Sequence, residues 1–71
     1  MDINIQKFLQ YKNPSIAFLE GEEEKEVVLL ENLKKKGVKW DDETEIDTSK
    51  SMIPCTYLWG VKGNLLYTKQ K

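Results

Sequence analysis

"IPCTYLWGVKGNLLYTK", residues 53–69, decides how the chain folds. Alternation along a strand puts Cys55, Tyr57 and Trp59 on one face and Thr56 and Leu58 on the other. Inside "GVKGN" two glycines and an asparagine supply the positive φ angles that tight hairpin turns require. The stretch therefore reads as a strand from Ile53 to Trp59, a turn, and a returning strand from Leu65 to Lys69.

Upstream, "EEEKEVVLLENLKKKG", residues 22–37, reads as the main helix, from Glu22 to Lys36. Its acids lie at the end where the helix dipole is positive, and Lys34, Lys35 and Lys36 lie at the other. Val27, Val28, Leu29, Leu30 and Leu33 form the apolar face, and Gly37 is suited to the left-handed position that ends a helix. "SIAFL", residues 15–19, is a short apolar run between turn residues, hence a buried strand. Before it, "DINIQKFLQYKN" predicts a short first helix, with Asp2 as N-cap and Ile5, Phe8 and Leu9 on one side. Asn13–Pro14 stops that helix. "VKW" alternates like a strand over Val38 to Trp40, and "DDETEIDTSKS" is expected to be an exposed, mobile acidic loop.

The expected fold is α+β: one domain over residues 1–71, with a three-stranded βαββ sheet, its C-terminal hairpin packed on the main helix, and a short N-terminal helix. One main helix covers only one face of such a sheet. The other face must meet the N-terminal helix, a second copy, or a partner. Trp40 is expected in the core, and Trp59 partly exposed beside the turn.

Composition narrows the chemistry. A chain of 71 residues buries roughly 60% of its unfolded surface, so its stability margin is thin. Cys55 is the sole cysteine, which suits a reducing interior. The opening "MDINIQKFLQYK" lacks a charged leader and cleavage site, and no apolar run approaches a membrane span; a cytoplasmic location is expected. Histidine and arginine are both absent. The side chain best suited to proton transfer near neutrality is missing, and so is the planar fork for phosphate and carboxylate. The net charge of −1 hides a segregation: residues 20–47 hold eleven acids and five lysines, residues 48–71 four lysines and no acid. Four lysines make a weak phosphate footprint, so direct nucleic-acid binding is not expected.

The order strand, "EEE" helix, "G-x-K-W" step and late hairpin resembles small proteins encoded by phages and prophages of low-GC Gram-positive bacteria. Gly37, Lys39 and Trp40 carry the step, and Cys55, Tyr57, Gly63 and Tyr67 the hairpin. The resemblance spans about residues 15–69. It implies a βαββ fold and an accessory role in binding host machinery, defence systems included, and it brings no catalytic residue with it. "MIPCTYLWGVKGNLLYTK" also looks like the proline-then-hairpin end of a thioredoxin-like domain. The Cys-x-x-Cys of that family is absent, and no helix fits between Trp40 and Pro54.

Each candidate chemistry has a plainer structural reading. A nucleophilic Cys55 needs a histidine, cation or helix N-terminus to lower its pKa, yet its neighbours are apolar. Asp41, Glu43, Glu45 and Asp47 alternate as in calcium loops, but Ile46 stands where such a loop needs glycine. The acids of "EGEEEKE" sit at a helix start, which lowers carboxylate pKa values and ill suits acid–base work. "VKGN" has neither the spacing nor the following helix of a phosphate loop. No catalytic residue, cofactor or metal is therefore assigned.

The leading expectation is a non-enzymatic phage or prophage accessory protein that inhibits or modulates a bacterial host protein, for host takeover or anti-defence of the anti-CRISPR kind. Its contact residues are taken as Glu22, Glu23, Asp41, Asp42, Glu43, Glu45, Tyr57 and Trp59. If the acidic loop folds back beside the helix start, the two acidic segments form one negative surface for a basic, nucleic-acid-handling partner. The alternatives are a nucleotide- or ligand-sequestering module and a structural or regulatory homo-oligomer, a homodimer included.

Overall fold

A computed structural model describes residues 3–69. The elements run α1 (Ile3–Tyr11), β1 (Ser15–Phe18), α2 (Glu23–Lys35), β2 (Cys55–Trp59) and β3 (Leu65–Lys69). The expected cap at Asp2 lies outside the described residues. The fold is α+β, and its sheet is antiparallel with order β1-β2-β3, so the cysteine- and tyrosine-bearing strand is central.

Register assigns the faces. Ile16 pairs with Tyr57 and Phe18 with Cys55 on one side, and Tyr57 with Tyr67 and Trp59 with Leu65 on the other. Directly opposed residues share a face. Ile16, Phe18, Cys55, Tyr57 and Leu65 are buried together with Ile5, Phe8 and Leu9 of α1 and Leu29, Leu30 and Leu33 of α2. Both helices thus cover this one face. The Phe8 ring stacks on Trp59 at 5.1 Å, and the Trp59 indole N–H donates to the Phe8 carbonyl at 3.0 Å. The second face is covered by neither helix: Ser15, Ala17 and Thr68 are exposed, and Thr56, Leu58 and Leu66 are half-buried.

The ends of α2 behave as their residues dictate. Lys36 is the C-cap, Gly37 adopts φ +78°, its N–H donates to Lys34 O, and the Val38 N–H donates to Leu33 O. These are the two bonds of a Schellman motif. In the hairpin, Gly60 N–H donates to Asn64 O and Gly63 N–H to Gly60 O, with Gly63 at φ +82°. That is a three-residue turn closed by a left-handed glycine.

Three expectations need correction. Val38–Trp40 is not a strand: only two isolated bridges form, Lys39 with Glu45 and Trp40 with Leu65, because the chain turns away at Asp41. β2 starts at Cys55 and not Ile53, since Pro54 has no N–H for the ladder; the Ile53–Pro54 bond is cis. The acidic loop, expected to be exposed along its length, carries an anchor: Ile46 is 2% exposed, within the core.

Gly37→Ala meets no steric obstacle, but it places a Cβ on a left-handed residue. The variant should lose about 1 kcal/mol, read as a melting temperature lower by roughly 4–8 °C in a domain of this size.

Candidate functional site

The expected contact residues fall into three separate places. Glu22 and Glu23 are occupied locally. The Leu19 amide donates to Glu22 Oε1 at 2.7 Å, Lys25 pairs with Glu22 Oε2 at 3.4 Å, and the Gly21 amide donates to Glu23 Oε1 at 3.4 Å. These acids fasten the β1–α2 turn.

Tyr57 and Trp59 lie inward. Tyr57 is 0% exposed, and its hydroxyl donates to Glu26 Oε2 at 2.6 Å; the Met52 amide donates to the same oxygen at 2.9 Å. Glu26 is itself 1% exposed. The fourth helical residue of α2 is thus a buried carboxylate, while its acidic neighbours in sequence face solvent. Burial first, then the bond to Glu26, pushes the Tyr57 hydroxyl far above its usual range, so it stays protonated. Burial also raises the Cys55 thiol, against a smaller opposing effect of its hydrogen bond to Tyr57. Cys55, Tyr57 and Glu26 are all buried. Trp59 is half-buried against α1, with the Lys12 ammonium 5.9 Å from its ring centre.

Asp41, Asp42, Glu43 and Glu45 are all exposed, at the far edge of the sheet. The Asp41 amide donates to Leu65 O at 3.0 Å, so this segment lies outside β3, whereas Glu22 adjoins the end of β1. About three strand spacings, roughly 14 Å, separate the two acidic segments across the sheet. Strand order thus places the two acidic segments at opposite edges of the sheet.

The loop is held in one shape by its own side chains. Asp42 Oδ1 accepts from the Thr44 amide at 3.1 Å and from the Thr44 hydroxyl; Asp47 Oδ1 accepts from the Ser49 amide at 2.8 Å and its hydroxyl at 2.6 Å. These bonds favour the ionised acids and lower both pKa values below 3.8, the side-chain hydrogen bond being the larger cause in each. The Trp40 amide donates to Thr44 O at 2.9 Å, and the Glu43 amide to Trp40 O at 2.8 Å. Glu43 takes φ +69° at the tip.

Beside this loop is a groove of about 410 Å³, lined by Trp40, Asp41, Asp42, Thr44, Met52, Leu65, Leu66 and Tyr67. The Trp40 ring meets the Tyr67 ring edge-on at 5.4 Å and stacks towards Tyr57 at 6.1 Å. The lining combines two carboxylates with two aromatic rings and no lysine. It repels phosphate and suits a cation. A second hollow, of about 350 Å³, lies between Gly37, Lys39, Glu43 and Asn64, where one lysine faces one acid. Among the described residues no three acidic, cysteine or histidine side chains converge on a point a metal could occupy, and no helix is long and apolar enough to cross a membrane.

Sequence reasoning found the acidic loop but missed Glu26, Trp40 and Tyr67 as partners in a site. The pattern hinted at Glu26: it lies three and four residues before Leu29 and Leu30, on the apolar stripe of the helix. No family model matches this chain, and neither does any curated protein or solved structure compared with it.

Two tests follow. Tyr57→Phe withdraws a donor from a buried carboxylate and should cost about 1–3 kcal/mol, whereas Glu26→Gln keeps an oxygen for both donors and should cost less in the same denaturant titration. Acidification should release the loop's turns only below the ordinary carboxylate range. The lowered acids stabilise above their unfolded pKa, and that contribution is lost as pH falls through the folded value. Amide shifts of Thr44 and Ser49 should titrate with midpoints below 3.8.

Proposed function

We propose that the chain is a non-enzymatic binding protein that modulates a bacterial host protein through the acidic segment Asp41–Glu45. The observation that carries this reading is the fixed, exposed presentation of Asp41, Asp42, Glu43 and Glu45. The loop is anchored by Ile46 and closed by the Asp42–Thr44 bonds, so four carboxylates stand ready beside an aromatic groove. A preformed charged surface steers a basic partner and loses little ordering entropy on binding. The enclosed state of Cys55, Tyr57 and Glu26 supports binding over bond-making chemistry, because the polar groups of the core have no path to a substrate.

An accessory role in phages or prophages of low-GC Gram-positive bacteria fits this reading, with a nucleic-acid-handling or defence protein as the basic partner. Such proteins carry positively charged grooves, which a local acidic patch complements even in a chain with net charge −1. A standard interface takes roughly 800 Å² from each partner. That is about a sixth of the total surface of 4953 Å², and the groove beside the loop extends the contact area that the acidic segment offers.

The test neutralises charge while keeping shape: Asp41→Asn, Asp42→Asn, Glu43→Gln and Glu45→Gln together. Capture of a partner from a Gram-positive lysate should weaken at least about tenfold relative to the native chain. The native complex should come apart as added salt screens the field, whose Debye length is about 8 Å at 0.15 M, and the neutralised variant should elute at lower salt than the native chain. Unchanged capture with unchanged salt sensitivity in the neutralised variant sinks the reading.

A further inference from the structure

The outer edge of β3 is half finished. Leu65 uses both of its outward main-chain groups: its N–H donates to Lys39 O at 2.9 Å, and its carbonyl accepts from the Asp41 N–H at 3.0 Å. This is a parallel bridge of Trp40 with Leu65. Then the chain leaves the edge, because the Trp40–Glu43 turn carries it away. In an antiparallel ladder, outward-pointing residues alternate with inward-bonded ones. Leu65 points outward, so Tyr67, two residues on, points its N–H and carbonyl outward too. Among the described residues no backbone hydrogen bond reaches either group.

We propose that this edge is a slot for one extended segment of a basic partner, which pairs with the main chain of Tyr67 and places a lysine or arginine in the adjacent groove. The inference rests on the acidic-surface reading above and specifies how the partner is held. The groove begins where the Lys39–Asp41 segment ends, with the Trp40 and Tyr67 rings, Met52 beneath and Asp41 and Asp42 alongside. The Tyr67 side chain is 42% exposed although it belongs to the core face. A strand laid on the edge supplies affinity through main-chain bonds, and alternate side chains supply specificity. The cation gains from the ring faces and from the two carboxylates. Asp42 spends Oδ1 on Thr44, which leaves its second oxygen outside that turn.

Chain geometry favours a separate segment over a second copy. In the register centred on Tyr67 a second β3 would set Lys69 of the copy opposite Leu65, a place already filled by Lys39–Asp41, whereas a free segment can begin opposite Tyr67 and run towards Lys69. Lys69 at the strand end also discourages indiscriminate edge pairing.

The experiment titrates the 15N-labelled full chain with a blocked pentapeptide, Thr-Val-Lys-Val-Thr. Saturable shifts are expected at the Asp41, Tyr67 and Lys69 amides and the Trp40 indole. A norleucine version, a version N-methylated along one edge, and the Asp41→Asn, Asp42→Asn double variant should each weaken binding by about tenfold or more; unchanged Ile46 methyl shifts show that the variant still folds. No saturable shift with the native chain overturns the slot. Equal binding of the N-methylated peptide overturns strand pairing, and equal binding of the norleucine peptide overturns the cation. Shifts that depend on protein concentration alone would assign the edge to a second copy and overturn the proposal. Failure of these arms with salt-dependent partner capture intact removes the slot and leaves the acidic surface standing.

Discussion

One buried carboxylate organises this molecule. Glu26 of α2 accepts from the Tyr57 hydroxyl of the central strand and from the Met52 amide of the segment returning from the acidic loop. Two parts of the chain distant in sequence, α2 and the stretch from Met52 to Tyr57, meet at a single oxygen. Sealing a carboxylate inside a domain this small is costly unless it is hydrogen-bonded. Two donors meet that need, and the first turns of α2 add the positive end of the helix dipole. Such a group does less for net stability than apolar packing would, but it penalises every arrangement that leaves the charge unpaired. A chain with no disulfide and a small core thereby gains a specific reason to bring α2, β2 and Met52 together.

The rest of the architecture divides the sheet into unequal faces. An aromatic series, Phe18 to Tyr57 to Trp40 to Tyr67, runs across the core face from the β1 edge to the β3 edge. It starts fully buried and ends half in solvent. Because Tyr57 in the middle is fixed by Glu26, the rings at the outer end inherit their positions from the core. That is how a surface groove acquires rigid walls in so small a protein. The opposite face, with Leu58 and Leu66 half-buried, has no comparable series.

Local signals in the sequence were enough for the elements and poor for their company. Opposed charges and Gly37 placed α2 to within a residue at each end, and the glycine turn placed the returning strand β3 at its true limits. Both depend on neighbours along the chain. The hairpin glycines likewise set their own φ angles. What escaped was non-local. Whether Val38–Trp40 becomes a strand depends on how long it stays beside Leu65, and one bridge suffices before the turn at Asp41 removes it. The shared face of both helices depends on Trp59 capturing the Phe8 carbonyl, which no period reveals. Within the site, the exposed acids were legible as a charge run. Trp40 read as an ordinary core residue and Tyr67 only as part of the hairpin, because their position at the rim follows from strand order.

Ile46 shows how packing and surface chemistry are coupled here. In sequence it is one apolar residue among acids, and it interrupts a cation-binding pattern. In space its burial drags the flanking carboxylates against the molecule and sets where Asp42 and Asp47 meet Thr44 and Ser49. The loop's acids repel one another, so a free loop would spread and average its field. Anchoring the middle of the loop prevents that spreading and holds the charge at one edge of the sheet. The stabilisation lost by crowding like charges is offset by a buried isoleucine and by turn hydrogen bonds to the ionised acids. A fold with little energy to spare retains such crowding only while that anchor and those bonds hold, which ties the shape of the charged surface directly to the integrity of the core.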